Sequence, residues 1–285
     1  GADSLKITAW NSRLWLFSRM NGETRAFSSS LPDGNDWTEQ TVSGCDMADV
    51  TTLVAWNGRL YMSQTNGTLL MSDDGLVWNT VQTDHPLRLL AADETGLYAM
   101  ADGKIYRTVD GRTWVDEALD EDPALLPSRD ITATAYTQEN GMRRILLAGN
   151  RPMADYPSDE WAMLWSRSTP DVETPSHWAY FNVSPDNPYA CPRLEGLNLV
   201  RYDEVVLAFG GASLDGVSHE PLDGLYVSED NGVTWKTNGV YVMPEALSGQ
   251  DVPVTSVVES GSLLWIVAGG QVWRGQLNRL GFTNR

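Results

Sequence analysis

The side chains able to do chemistry are scattered along the chain. His85, His177 and His219 lie far apart, without the short spacing through which imidazoles share a zinc ion. Each reads as an ordinary loop residue, and no metal centre is expected. Cys45 and Cys191 are separated by 146 residues. Neither belongs to a closely spaced pair, so the expectation is two buried thiols without zinc or redox chemistry. The acidic run from Asp116-Glu117 to Asp120-Glu121-Asp122 lacks the turn-forming glycine that calcium loops place among their ligands. It reads as a solvated loop. Glycoside hydrolysis by paired carboxylates needs two acids about 5–9 Å apart, and sequence order selects no pair from 38 Asp and Glu. No nucleophile elbow, phosphate-binding glycine loop or dinucleotide fingerprint occurs. No cofactor is expected.

Against those 38 acids stand 20 Lys and Arg, a formal charge of −18. That balance opposes phosphate backbones and anionic membrane surfaces, so nucleic acid is excluded as a partner while cations and neutral glycans stay compatible. No stretch approaches the roughly 20 apolar residues of a membrane-spanning helix. The sequence opens without a basic stretch followed by an apolar core, and Gly1 is compatible with a trimmed leader.

The elements that must position these side chains are repeats. Ala9-Trp10-Asn11-Ser12-Arg13-Leu14-Trp15 recurs 46 residues later as Ala55-Trp56-Asn57-Gly58-Arg59-Leu60-Tyr61, a period within the range of propeller blades. In each copy an alternating apolar run enters a two-residue Asn-Ser or Asn-Gly turn and leaves in another such run, the pattern of a tight hairpin. Weaker copies around Glu94-Thr95-Gly96, Glu139-Asn140-Gly141, Tyr202-Asp203-Glu204 and Glu259-Ser260-Gly261 bring the count to six.

A second motif follows most hairpins and is sharpest at Ser228-Glu229-Asp230-Asn231-Gly232-Val233-Thr234-Trp235. Shorter versions are Ser72-Asp73-Asp74-Gly75-Leu76-Val77-Trp78 and Thr108-Val109-Asp110-Gly111-Arg112-Thr113-Trp114, with a looser one from Ser30 to Trp37. An Asp carboxylate accepts hydrogen bonds from turn amides, Gly supplies positive φ, and the hydroxyl adds a further local bond. The closing Trp begins the next strand and is placed to wedge between neighbouring sheets. These residues are therefore assigned a structural role, not a catalytic one.

The terminal aromatics Trp37, Trp78, Trp114, Trp178, Trp235 and Phe282 are spaced 41, 36, 64, 57 and 47 residues apart. Even the shortest interval holds four short strands with their turns. The sequence therefore predicts one all-β domain over 1–285, a six-bladed propeller of four-stranded antiparallel blades. The blades are expected near 1–43, 44–84, 85–126, 127–187, 188–247 and 248–285, with insertions in the fourth and fifth.

The second motif resembles the Asp-box (BNR repeat), Ser-x-Asp-x-Gly-x-Thr-Trp. The chain is similar to sialidase-like and sortilin-like propellers and to uncharacterised secreted propellers of gut Bacteroidetes. A sialidase would need an arginine clamp, a Tyr–Glu nucleophile pair and an acid–base Asp. That family's first arginine lies in a Phe/Tyr-Arg-Ile-Pro motif, where the first blade here has Lys6-Ile7-Thr8 and Asn11-Ser12-Arg13-Leu14, and Arg144-Ile145-Leu146 in the fourth blade lacks the proline. Arg88, Arg129, Arg151, Arg193 and Arg201 are candidates for a clamp, or solvated and salt-bridged arginines.

The resemblance also implies that ligands use the face opposite the boxes, the one that receives the segments running into each innermost strand. There the candidate ligand-binding residues are Asp46, His85, Arg88, Arg129, Arg193 and Asp251, joined by Arg151, Tyr156 and His219 from the inserted loops. The expected function is a non-catalytic propeller of the cell envelope or exterior, acting as a monomer on a glycan or protein ligand. The alternative is a glycoside hydrolase or lyase of sialidase-like architecture.

Overall fold

The computed structural model describes residues 4–31, 34–117, 129–137, 143–152, 160–169, 179–181, 198–202, 205–209, 225–229, 236–237, 254–268 and 270–276. Apart from one 3-10 turn at Met47–Asp49, every regular element among them is a strand. Two compact units are present, one of residues 1–119 with 256–275 and one of residues 120–255 with 276–285.

The first unit opens with β1 (Ser4–Trp10), β2 (Arg13–Met20), β3 (Glu23–Ser30) and β4 (Thr38–Gln40), hydrogen-bonded in chain order as an antiparallel sheet. The same meander recurs in β5 (Val50–Trp56), β6 (Arg59–Gln64), β7 (Leu69–Ser72) and β8 (Asn79–Val81), and again in β9 (Arg88–Asp93), β10 (Gly96–Ala101), β11 (Lys104–Thr108) and β12 (Val115–Asp116). The second unit holds β13 (Arg129–Thr137), β14 (Arg143–Pro152), β15 (Glu160–Thr169) and β16 (Ala179–Phe181) in one sheet. Its other sheet comprises β17 (Asn198–Tyr202), β18 (Val205–Phe209), β19 (Leu225–Ser228) and β20 (Lys236–Thr237). The last sheet is β21 (Val254–Ser260), β22 (Leu263–Ala268) and β23 (Gln271–Gln276).

Tight turns set this topology. Asn11 and Ser12, and in the second copy Asn57 and Gly58, take positive φ between 48° and 74°, the mirror-image turn whose twist matches paired strands. The turns between second and third strands use Asn21-Gly22 and Asp102-Gly103 in the same way.

Each core of the first unit lies between two sheets. Leu5, Ile7 and Leu14 of the first sheet meet Trp265 and Val267 of the last. Trp10, Trp15 and Phe17 meet Met47, Leu60, Met62, Leu70 and Trp78 of the second. Tyr61 and Leu69 of the second meet Leu89, Leu97 and Tyr106 of the third. Leu14, Leu60 and Leu97 are wholly buried, and each such side chain stabilises the fold by about 1.5–3 kcal/mol relative to exposure. Three of the closing tryptophans take their expected place: Trp78 packs edge-on against Phe17 of the preceding sheet at 5.6 Å, and Trp37 and Trp114 join the corresponding clusters, whereas Trp178 and Trp235 lie outside the described residues.

Six equivalent four-stranded blades in one domain were expected. Among the described residues the sheets divide four and two between the two compact units, and the last has three strands. Its fourth strand was expected near Phe282, which lies outside the described residues, as do most residues of the insertions in blades four and five. Four successive sheets, the last followed by the first three, therefore pack as blades within the first unit.

Candidate functional site

The meander gives each sheet two ends. The chain runs into its innermost strand at one end, here called the lead-in end. The turn after its third strand lies at the other.

At the far end, the repeated turns satisfy themselves. Ser72 Oγ accepts from the Gly75 amide at 2.8 Å, and Asp74 Oδ1 accepts from the amides of Leu76 and Val77 at 2.8 and 2.9 Å. One sheet later, Thr108 Oγ1 accepts from the Gly111 amide at 2.9 Å, and Asp110 Oδ1 accepts from those of Arg112 and Thr113 at 2.8 and 2.7 Å. In the first sheet the looser motif is anchored by Asp36, which accepts from Ser29 Oγ at 2.6 Å and the Ser30 amide at 2.9 Å. These bonds favour the ionised carboxylate. The Thr113 amide above all holds Asp110 well below the usual range, the Val77 amide lowers Asp74, and the Ser29 hydroxyl brings Asp36 down to about 2. They are permanent acceptors, unsuited to proton transfer. Ser228 closes β19, whereas Asp230, Gly232 and Trp235 lie outside the described residues.

The remaining acids of the first unit are engaged largely at the surface. Asp73 pairs with Arg59 at 2.6 Å, Asp116 with Lys104 at 2.8 Å, and Glu117 with Arg107 at 2.7 Å. The start of the acidic run is thus ion-paired. Among the described residues no group of three His, Cys, Asp or Glu is placed to hold a metal ion. Cys45 is free and half-buried, its thiol pushed up to about 12 by burial and secondarily by Asp46, so it is a poor nucleophile. Cys191 lies outside the described residues.

At the lead-in end, Asp46 and His85 have local partners. Asp46 caps the 3-10 turn by accepting from the Ala48 amide at 2.9 Å and lies 3.7 Å from Arg19. The His85 ring packs on Tyr106 with centroids 4.8 Å apart, and the His85 carbonyl accepts from Thr83 Oγ1 at 2.7 Å. Arg88 opens β9. In the second unit, Arg129 opens β13 opposite Asn150, and Arg151 follows in β14, so topology brings both to one end of adjacent strands. Arg201 lies in β17. Tyr156, Arg193, His219 and Asp251 lie outside the described residues.

The residue that sequence reasoning passed over is Lys6. It interrupts the buried run Leu5, Ile7, Thr8 on β1. Leu5 and Ile7 face the last sheet, and Trp10, of the same parity as Lys6, packs toward the second. Burial, followed by repulsion from the Arg88 guanidinium, lowers the Lys6 ammonium to about 8. The signal was a lone cation inside an alternating apolar strand. Glu259, near the far end of β21, is the converse case, a partly buried carboxyl raised to about 7 by desolvation.

Hairpin-linked meanders of four antiparallel strands, packed face to face through aromatic residues, are the blades of a β-propeller. The sequence profile of the DUF6242 β-propeller domain matches residues 1–285. The chain belongs to the DUF6242 β-propeller family. No curated protein matches it. Among solved structures, this DUF6242 propeller is similar to the α-L-arabinanase of Penicillium chrysogenum complexed with arabinobiose, at 12% identity and a TM-score of 0.55, over 97% of this chain and 94% of that one. An ancestral GH74 enzyme gives 12% identity and a TM-score of 0.54, over 96% of this chain and 42% of that one. YCF48 from Cyanidioschyzon merolae gives 12% identity and a TM-score of 0.47, over 94% of each chain. At these identities the likeness to the arabinanase and the GH74 enzyme is one of fold.

Proposed function

We propose that this DUF6242 propeller is a non-catalytic binding protein of the cell envelope or exterior, and that it holds a glycan or protein ligand at the lead-in end of its innermost strands. One observation carries this reading. The carboxylates of the repeated turns serve turn amides at the far end, whereas Lys6 and Arg88 repel one another on the innermost strands near the opposite end. Perturbed groups gather where a fold is built for a ligand. The reading includes six blades with Asp-box turns in a single domain: the Ser/Thr–Asp–Gly hydrogen-bond pattern recurs in successive sheets, and six sheets follow one another along the chain. The export assignment rests on the resemblance to secreted propellers and is tested by fractionating the native host.

The binding reading is tested by screening the protein against neutral and acidic glycans and peptides, with binding and product release measured in parallel. Saturable binding without turnover supports it. Turnover of any member of the panel overturns the non-catalytic part.

The second reading, a glycoside hydrolase, is favoured by Glu259 alone, because a carboxyl raised to about 7 suits a general acid. If it holds, Glu259→Gln abolishes turnover while leaving the fold intact by circular dichroism.

A further inference from the structure

We propose that the Asn21-Gly22 and Asn57-Gly58 turns are sites of spontaneous covalent modification, where asparagine closes on the following amide to a succinimide that water opens to aspartate or isoaspartate, while the Asn66-Gly67 turn is protected from it.

Asn-Gly pairs occur six times in the sequence, and three of them lie among the described residues. Asn21-Gly22 joins β2 to β3, Asn57-Gly58 joins β5 to β6, and Asn66-Gly67 lies between β6 and β7. Sequence alone ranks the three alike, because glycine puts no side chain in the way of the attacking amide. The structure separates them. Asn21, Gly22, Asn57 and Gly58 are exposed, and nothing stands within 4 Å of a Cβ built on Gly22 or Gly58. Among the described residues no hydrogen-bond partner holds either carboxamide or either glycine amide. Gly67 is packed instead, and a Cβ there would overlap Pro86. Its amide donates to the Gln64 carbonyl at 2.9 Å, and its carbonyl accepts from the Leu87 amide at 3.0 Å. The Asn66 side chain is held as well, its Oδ1 accepting from the Thr68 amide at 2.9 Å.

Ring closure needs a free nitrogen and a free carboxamide. Hydroxide takes the glycine amide proton, the nitrogen bonds to the asparagine Cγ, and the Cγ–Nδ2 bond breaks so that the side-chain nitrogen leaves, protonated, as ammonia. Water then opens the ring. Cleavage between the nitrogen and Cγ gives aspartate, and cleavage between the nitrogen and the backbone carbonyl carbon gives isoaspartate, with the chain rerouted through Cβ and Cγ. One water is consumed and one ammonia released, with no change of oxidation state. The turn must open briefly for the ring to close, which exposed loop tips do most readily. Aspartate suits such a turn, as Asp102-Gly103 holds the place of Asn21-Gly22 in the third sheet with φ of 51° and 73°. Isoaspartate does not, since an added backbone carbon breaks the two-residue span between Trp56 and Arg59 or between Met20 and Glu23.

The test incubates the whole folded chain at pH 8 and 37 °C in oxygen-18 water and follows the three sites by peptide mapping, with a parallel sample unfolded in urea. In the folded chain Asn21 and Asn57 are expected to convert at least tenfold faster than Asn66, whereas in urea the three rates should lie within threefold of one another. Each converted site should carry one oxygen-18 and appear as both aspartate and isoaspartate. Conversion of Asn66 as fast as that of Asn21 and Asn57 in the folded chain overturns the assignment, as does failure of either Asn21 or Asn57 to convert outside urea. Aspartate without isoaspartate overturns the succinimide route.

Discussion

Gly75 lies flat against the indole of Trp15 in the preceding sheet: a Cβ on Gly75 would stand 3.0 Å from two ring carbons. The relationship repeats, with Gly111 against Tyr61 and Gly34 against Trp265. In each case the glycine after the third strand meets an aromatic residue on the second strand of the neighbouring sheet.

Gly75→Ala therefore meets two obstacles, a φ of +78° and the Trp15 ring. Gly58 has φ +74° with nothing within 4 Å of the added carbon. Gly58→Ala is expected to cost about 1 kcal/mol and Gly75→Ala about 2–4 kcal/mol in urea unfolding. Equal costs would show that the aromatic contact does not matter.

The carboxylates of the repeated turns predict acid sensitivity. Their folded pKa values are depressed, so their contribution is complete above the unfolded value near 4 and fades as pH falls toward and below 2. The melting temperature is expected to drop steeply across that window. Asp110→Asn should lower it at pH 7 and flatten the acid limb, as read by thermal circular dichroism from pH 2 to 7.

Lys6 acts in the alkaline range. With its folded value near 8 and an unfolded value of 10.5, both states are protonated below pH 8 and the fold carries the full penalty. Between 8 and 10.5 the unfolded chain binds more protons, so this residue makes stability rise with pH. Lys6→Met is expected to stabilise the protein by about 1–3 kcal/mol at pH 7, the lower figure reflecting solvent screening. By pH 10.5 the advantage should vanish in urea unfolding.

Glu259 has the opposite acid–base character. Its folded value near 7 exceeds the unfolded 4.5, so the penalty is absent below 4.5, grows from there to 7, and then stays constant. Glu259→Gln is expected to raise stability by about 1 kcal/mol at pH 8 after discounting for solvent and to change nothing at pH 4. A pH series of chemical denaturation reads the difference.

What the sequence revealed was local. Asn57-Gly58 announced a hairpin because few residues tolerate its two positive φ values, and Ser72, Asp74 and Gly75 announced their turn because all its bonds close within six residues. The first turn was harder. Its anchoring carboxylate, Asp36, stands beyond Gly34 and bonds back to Ser29 and Ser30, so its spacing departs from the pattern. Asp46 read as a candidate ligand-binding residue, and only the structure shows it capping the 3-10 turn and lying 3.7 Å from Arg19. Lys6 showed in the sequence only as a lone cation in an apolar strand, because its perturbation depends on burial in the folded chain and on Arg88 two blades away.

The bed of Gly34 is Trp265, and the Ile7 amide donates to Ser256 Oγ at 3.2 Å. A ribosome making this chain extrudes the first four strands long before either partner exists. Leu5, Ile7 and Leu14 must wait with one flank uncovered until the last sheet emerges. Such long-range closure slows folding and leaves a sticky strand during synthesis, so the amino-terminal sheet is where a chaperone would have work to do.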